Sequence, residues 1–160
     1  MQRRCVIFLF AAFAFAINGY ATDSWNVFHC SPIDTAEATG IRILNEHGHE
    51  VFRVCQDATV LPQTRFANVT SDQHRDFLFV TQVGAKTCEA TLYRKSGAHY
   101  VRVGWWSGWD IRAEKWQNQP AIHYEELEPT ADHPKSVVYF TWNGNQLVPN
   151  RSTPTMSFHQ

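Results

Sequence analysis

The sequence lacks three features that would each have indicated a common class of protein. It has no continuous apolar run after residue 17, so nothing beyond the N-terminus predicts a membrane span, which needs about 20 residues. It has no C-x-x-C pair, which argues against a zinc knuckle and against a thioredoxin-like redox centre. It also has no excess of basic residues, with 14 Lys and Arg against 15 Asp and Glu, which argues against nucleic acid as a partner.

The N-terminus has the pattern of a secretory signal peptide. Arg3 and Arg4 precede an apolar run over residues 5–17, and residues 19–21 form a small-x-small cleavage sequence. We predict that residues 1–21 are cleaved and that the protein is periplasmic or secreted, with no membrane span after cleavage. Loss of the two arginines leaves 12 basic residues against 15 acidic ones, a formal charge of −3.

The rest of the chain predicts one all-β domain over residues 22–149, followed by a flexible tail at 150–160. Its apolar residues alternate with polar ones at a period of two, turn residues recur at short intervals, and no amphipathic helix is evident. We expect a single antiparallel β-barrel or β-sandwich of about eight or nine short strands. Two segments that contain proline, 61–68 and 127–134, are predicted loops. The predicted strands are 40–44, 51–55, 76–81, 87–94, 99–103, one at Ile111, 121–125, 136–142 and 146–148.

Three cysteines remain after cleavage, Cys30, Cys55 and Cys88. They predict one disulfide and one free thiol, and their spacing leaves all three pairings open. His47 and His49 are candidate metal ligands because they form an H-x-H pair. The glycine between them favours a hairpin tip instead, and no third ligand is evident. We therefore expect no metal and no cofactor.

No spacing of polar residues indicates catalysis, and we expect a protein that is not an enzyme. Ser107 follows two tryptophans and directly precedes Gly108, which does not fit a nucleophile elbow. Glu125 and Glu126 are adjacent, so in a strand they would face opposite sides and would not form a pair. The acidic residues of this region are predicted to form a solvated face: Glu125, Glu126, Glu128 and Asp132.

Half of the six tryptophans lie close together, at positions 105, 106 and 109. Alternation along the strand that starts at His99 puts one set of side chains in the core and the other outside, unless a bulge at Gly104 reverses the sense. An exposed row of Tyr, Arg and Trp is typical of an interface hot spot. The alternative is that the tryptophans are core residues. The predicted inward set is Val101, Val103 and Trp105, and the predicted outward set is Tyr100, Arg102 and Trp106.

Residues 96–100, Ser-Gly-Ala-His-Tyr, followed by Trp106-Ser107 and Asp110, resemble the S-G-x-x-Y loop and next strand of bacterial C-type lysozyme inhibitors of the MliC/PliC kind. Those are small periplasmic or lipid-anchored β-barrels. The resemblance implies that the loop enters the lysozyme cleft, with Ser96 bonding a catalytic carboxylate and Tyr100 bracing the turn. The candidate partner-binding residues are Ser96, Gly97, His99, Tyr100, Arg102, Trp106, Ser107, Trp109 and Asp110. Residues 139–144 also resemble the final Trp-Asn-Gly hairpin of uncharacterised periplasmic β-proteins.

The function we expect is inhibition of a lysozyme-like cell-wall hydrolase by insertion of the 96–100 loop into its cleft. A protein with a charge of −3 suits a basic partner of that kind, because complementary charges steer association. Two alternatives remain open. One is an immunity protein that neutralises another secreted toxin with the same loop, and the other is a glycan-binding module that uses Trp105, Trp106 and Trp109 as a stacking platform.

Overall fold

The structure is a computed structural model that describes residues 23–30, 39–70, 75–130 and 135–151. The predicted signal peptide lies outside this part of the chain. The described residues contain strands and no helix, and so no helix that is long and apolar enough to cross a membrane. The strands are β1 Ser24–His29, β2 Thr39–Leu44, β3 Glu50–Gln56, β4 Thr59–Val60, β5 Arg65–Ala67, β6 Asp76–Gln82, β7 Cys88–Ser96, β8 His99–Gly108, β9 Asp110–Trp116, β10 Gln119–Glu125, β11 Val137–Trp142 and β12 Leu147–Arg151.

The strands form three antiparallel sheets. The front sheet has the order β1-β2-β3. The central sheet has the order β4-β6-β7-β8, with β5 also paired to β6. The back sheet has the order β12-β11-β10-β9. The all-β antiparallel prediction is confirmed, and the described strands form a layered, sandwich-like fold with no closed barrel.

The central sheet is buried on both faces. Its strand β6 reads DFLFVTQ, and six of these seven residues are buried. Phe77 and Phe79 join the front core, whereas Leu78 and Val80 join the back core. A near-continuous apolar run is what a strand between two layers requires, because both of its faces lose contact with water. The front and back sheets therefore cover opposite faces of the central sheet.

Each core collects apolar side chains from the two sheets that enclose it. The front core is completed by Ile41 and Ile43 of β2 and by Tyr100 of β8. The back core has Ala90, Leu92 and Trp106 from the central sheet. Ile111, Ala113 and Ile122 join it from the back sheet. Full burial of one such large side chain contributes about 1.5–3 kcal/mol relative to its exposure.

The disulfide joins Cys30 to Cys55, with the two Cα atoms 6.1 Å apart. It crosses the front sheet over β2, where Gly40 is paired with Cys55. A Cβ at Gly40 would lie 2.6 Å from Cys30 Sγ and 2.5 Å from the Val54 carbonyl oxygen, so the bridge needs glycine here. Cys88 is free and buried. A structural disulfide is compatible with a protein that works outside the cytoplasm.

The predicted strands are present, but three of the observed strands were not predicted: β1, with six residues, and the very short β4 and β5. β9, with seven residues, was predicted only at Ile111. The predicted loop 61–68 is wrong where it contains β5, a strand of three residues. Elements of two or three residues show no period that a sequence pattern can reveal. β12 extends to Arg151, inside the predicted tail, and residues 152–160 lie outside the described part of the chain.

Candidate functional site

The predicted partner-binding loop is the tip of the β7–β8 hairpin. Ser96 and His99 are the last paired residues, and Gly97 and Ala98 form a two-residue turn between them. Gly97 has a φ of 61°, a value that suits the first turn position of a type II′ hairpin and that glycine adopts without steric cost. All four residues are exposed. The hairpin therefore presents one hydroxyl, one imidazole and a small methyl group to solvent.

The base of this tip is fixed by a buried polar contact with the residue that precedes β1. The Tyr100 hydroxyl donates to Asp23 Oδ2 at 2.5 Å, and Lys95 Nζ lies 2.7 Å from the same oxygen. The Asp23 side chain is only 3 % exposed. Burial and the neighbouring Asp23 carboxylate raise the pKa of Tyr100 well above its ordinary value, so its hydroxyl stays protonated as a donor.

Tyr100 and Trp106 do not point outward, and that part of the prediction is wrong. Each is 7 % exposed, whereas Val101 and Trp105, predicted to face the core, are 46 % and 54 % exposed. Tyr100 is buried because the front sheet covers its face of β8. Its ring packs 5.7 Å from that of Phe52 on β3. Alternation alone could not show this, because the sequence does not reveal that a third sheet lies on that face.

Trp106 is buried because β8 contains a β-bulge. Leu92 pairs with Gly104 while Tyr93 pairs with Arg102, so Val103 is an extra residue on β8. The bulge reverses the faces beyond it. Tyr100 therefore faces the front core and Trp106 faces the back core, where its ring contacts Phe140 at 5.4 Å. A bulge at Gly104 was considered from the sequence, and the structure has it one residue earlier.

The remaining predicted site residues do not form one surface. Arg102 is exposed. Ser107 is half-buried, and its carbonyl accepts a hydrogen bond from the Tyr124 hydroxyl. Trp109 is half-buried, and its backbone N–H donates to the Glu125 carbonyl. A platform of Trp105, Trp106 and Trp109 is thus not formed, because only Trp105 is largely exposed. Asp110 belongs to a different group of side chains.

That group is a charged network on the face of the back sheet that is turned away from the central sheet. His123 is its centre and is almost fully buried. Its Nε2 lies 2.7 Å from Glu125 Oε1, and its Nδ1 lies 2.9 Å from Glu114 Oε1. Arg112 bonds both Asp110 and Glu114, and Lys135 Nζ lies 2.7 Å from Glu125 Oε1. We call Asp110, Arg112, Glu114, His123, Glu125 and Lys135 the charged network.

The network is close to internal charge balance. Three carboxylates, of Asp110, Glu114 and Glu125, face two permanent cations, and the two ring nitrogens of His123 contact Glu114 and Glu125. Burial raises the pKa of Glu125, but hydrogen bonds from Lys135 and His123 outweigh it and hold that pKa below its ordinary value. Burial likewise raises the pKa of Glu114, and His123 and Arg112 lower it by more. The fold therefore favours the charged form of both carboxylates.

The prediction that the acidic run forms a solvated face is wrong for Glu125. Its side chain is 4 % exposed, whereas Glu126 is exposed and Glu128 forms an ion pair with Lys86. The signal that would have revealed the network is the spacing D-x-R-x-E followed by H-x-E. In a hairpin that turns at Gln117-Asn118, this spacing pairs Arg112 with His123 and Asp110 with Glu125.

Three residues of the network are placed so that they could also hold a metal ion. Asp110, His123 and Glu125 each offer a ligand atom, and these atoms lie within 4.8 Å of one another. However, Arg112 and Lys135 already neutralise the two carboxylates, so the network is a stable ion cluster as it stands. The sequence candidates His47 and His49 lie at an exposed hairpin tip, and no third ligand among the described residues joins them.

No family model matches the chain, and searches of curated proteins and of solved structures gave no match.

Proposed function

We propose that this protein is a binding protein that inhibits a lysozyme-like cell-wall hydrolase by placing the tip of the β7–β8 hairpin in its cleft. The observation that carries the proposal is the combination of an exposed tip with a fixed base. Ser96 and His99 are exposed, while Tyr100 directly after them is buried and bonded to Asp23. A loop that is already held in one conformation loses little entropy on binding.

The chemistry of the tip suits a cleft that contains carboxylates. Ser96 offers a hydroxyl donor, and His99 offers an imidazole that donates from one or both ring nitrogens. Carboxylates of a glycan hydrolase are acceptors, and a positioned donor would bond them in place of substrate. The resemblance of residues 96–100 to the loop of C-type lysozyme inhibitors points to the same contact. In this mechanism the protein performs no chemistry and acts by occlusion.

Tyr100 has a supporting role in this proposal. Its hydroxyl is committed to Asp23 and its ring is packed on Phe52, so it does not reach a partner. Lys95, the residue before the tip, is held by the same carboxylate. The tip is therefore anchored through both strands of its hairpin, and Ser96 and His99 supply the contacts.

The proposal is tested by inhibition of a basic C-type lysozyme in a cell-wall lysis assay. The test variant is Ser96→Ala/His99→Ala, in which only exposed side chains change. The matched control is His47→Ala/His49→Ala at the tip of the β2–β3 hairpin, which is also exposed. We expect the mature protein and the control to inhibit, and the test variant to inhibit at least about tenfold more weakly.

Two results would contradict the proposal. One is the absence of inhibition by the unmodified protein, and the other is equal inhibition by the test variant. If lysozyme is not inhibited but the protein protects cells against another secreted toxin through the same two side chains, the immunity alternative replaces it. The glycan-platform alternative loses support here, because Trp106 is buried and contributes no stacking surface.

A further inference from the structure

A groove lies between β5, at an edge of the central sheet, and the β9–β10 hairpin of the back sheet. Its volume is about 730 Å³, within the range of small-molecule and sugar sites. The Arg65 side chain crosses from β5 and donates to the Ala113 carbonyl of β9, which ties the two walls together. None of the residues that line the groove belongs to the hairpin tip at 96–100.

The charge of the groove is opposite to that of the whole chain. Three cationic side chains line it, Arg65, Arg75 and Lys115, and all three are exposed. None of them forms an ion pair with a carboxylate of the described residues. The one acidic residue in the lining, Glu114, is already bonded to Arg112 and His123. Three cations without a carboxylate partner among the described residues, in a chain of net charge −1, favour an anionic ligand at this place.

The neutral part of the lining narrows the class of ligand. Three amide side chains, Asn68, Asn118 and Gln119, face the groove, and each offers both donors and an acceptor. The Phe66 ring in the lining is already occupied, because the Arg75 guanidinium lies over it at 5.7 Å and Phe77 packs on it at 5.2 Å. Amides that can both donate and accept suit sugar hydroxyls.

The turn that carries two of these amides has a defined conformation. Gln117 and Asn118 have φ values of 48° and 65°, so the β9–β10 hairpin closes with a type I′ turn. Asparagine adopts this region readily, whereas it is uncommon for glutamine. The turn therefore fixes Asn118 at the rim of the groove, next to Lys115.

We propose that this groove binds an oligosaccharide that carries carboxylate or sulfate groups. The cations would bind the charged substituents, and the amides would bind the hydroxyls. The inference is independent of the hydrolase proposal, because it uses different residues and a different ligand.

The test measures binding to oligosaccharides of equal length by isothermal titration calorimetry. The glycan probes are a heparin-derived tetrasaccharide, which carries sulfates and carboxylates, a hyaluronate-derived tetrasaccharide, which carries carboxylates only, and neutral chitotetraose. A single-stranded tetranucleotide is the fourth probe. The test variant is Arg75→Gln/Lys115→Gln, in which Arg65 is kept because it joins the two walls. The matched control is Arg53→Gln/Arg151→Gln, which removes the same charge from exposed positions outside the groove.

We expect one or both charged probes to bind and chitotetraose not to bind. The test variant should bind at least about tenfold more weakly, and the control should match the unmodified protein. Binding should also weaken as salt is raised, because the contacts are charged. Three results would overturn the inference: no binding of either charged probe, an equal loss in the control, or tighter binding of a single-stranded oligonucleotide than of both glycans. Thermal melting of both variants confirms that they are folded.

Discussion

The front and back sheets cover opposite faces of the same central sheet, but they are held there in different ways. Among the described residues, five buried residues form the front core and ten form the back core. The front sheet carries the Cys30–Cys55 disulfide, and Asp23 before β1 bonds Lys95 and Tyr100 of the central sheet. The described part of the back sheet has no disulfide, and its charged network lies on its outer face.

This difference shows how a small layer can be stabilised when its apolar contact is limited. In the front layer, the disulfide and the contact of Asp23 with Lys95 and Tyr100 supplement a core of fewer buried residues. A disulfide that closes a segment of 25 residues contributes about 3 kcal/mol by restricting the unfolded chain. The back core contains more buried residues, among them Trp106, which packs on Phe140. Four experiments test this comparison, from the largest expected effect to the smallest.

The first is Trp106→Ala in the back core. Because Trp106 is 7 % exposed and packs against Phe140, we expect the free energy of unfolding to fall by about 3–5 kcal/mol. Its neighbour provides the control, since Trp105 is 54 % exposed and Trp105→Ala should change that free energy by less than about 0.5 kcal/mol. Urea denaturation measures both, and equal losses would show that the bulge does not assign the faces as described.

The second is Gly40→Ala beneath the disulfide of the front sheet. The new methyl group would overlap the Val54 carbonyl oxygen and Cys30 Sγ, so we expect a loss of about 1–3 kcal/mol. Gly84→Ala is the control, because the nearest atom to a Cβ there is 3.8 Å away. Denaturation of the oxidised proteins compares them. A neutral Gly40→Ala would mean that the front sheet adapts to the bridge more freely than its geometry indicates.

The third compares two tyrosine hydroxyls, one on each side of the central sheet. Tyr100→Phe removes a donor from the buried Asp23 carboxylate, and we expect it to cost about 1–2 kcal/mol. Tyr124→Phe removes a donor from the neutral Ser107 carbonyl, and we expect it to cost less than about 1 kcal/mol. Thermal and urea denaturation give both values. A larger loss for Tyr124→Phe would argue against Asp23 as the anchor of the front layer.

The fourth concerns the acid sensitivity of the charged network. The fold lowers the pKa of Glu114 and of Glu125, so their contribution to stability is complete above the unfolded-state pKa of about 4.3. This contribution to stability is lost as the pH falls through the lower pKa values that the two carboxyl groups have in the folded state. The stability of the Glu114→Gln/Glu125→Gln variant should therefore depend less on pH, below about pH 4.3, than the stability of the unmodified protein does.

The control for this effect is Glu46→Gln/Glu126→Gln, which removes two exposed carboxylates. Its pH dependence should follow that of the unmodified protein. The measurement is the melting temperature of the unmodified protein and of both variants between about pH 2.5 and 6. If the control and the network variant lose the same pH dependence, the network does not contribute more than any exposed acidic pair.

Much of the strand layout could be predicted from the sequence. Alternation identified the β2–β3 and β7–β8 hairpins, and Asn143-Gly144 marked the turn before β12, where Gly144 has a φ of 100°. These features depend on neighbours in the chain, and so a sequence pattern contains them. The exposed tip at Gly97 was predicted for the same reason.

The candidate site was predicted less well, because its properties depend on contacts between sheets. The partner of Tyr100 is Asp23, 77 residues away in the chain, and no local pattern indicates such a contact. The charged network was closer to recognition, since Arg112 and His123 pair within one hairpin. It was missed because β9 was predicted only at Ile111, so the alternation of Asp110, Arg112 and Glu114 was not assigned to one face of a strand.

The sequence by itself determined that the chain forms antiparallel strands, where the main turns lie and that three cysteines remain after residue 21. These follow from side-chain periodicity and from backbone preferences of single residues. Only the tertiary structure decided which cysteines pair, which face of β8 is buried on each side of Val103, and which cations border the same groove. Those outcomes depend on how three sheets stack. The residues that stacking brings into contact have no fixed spacing along the chain, so no sequence pattern reveals them.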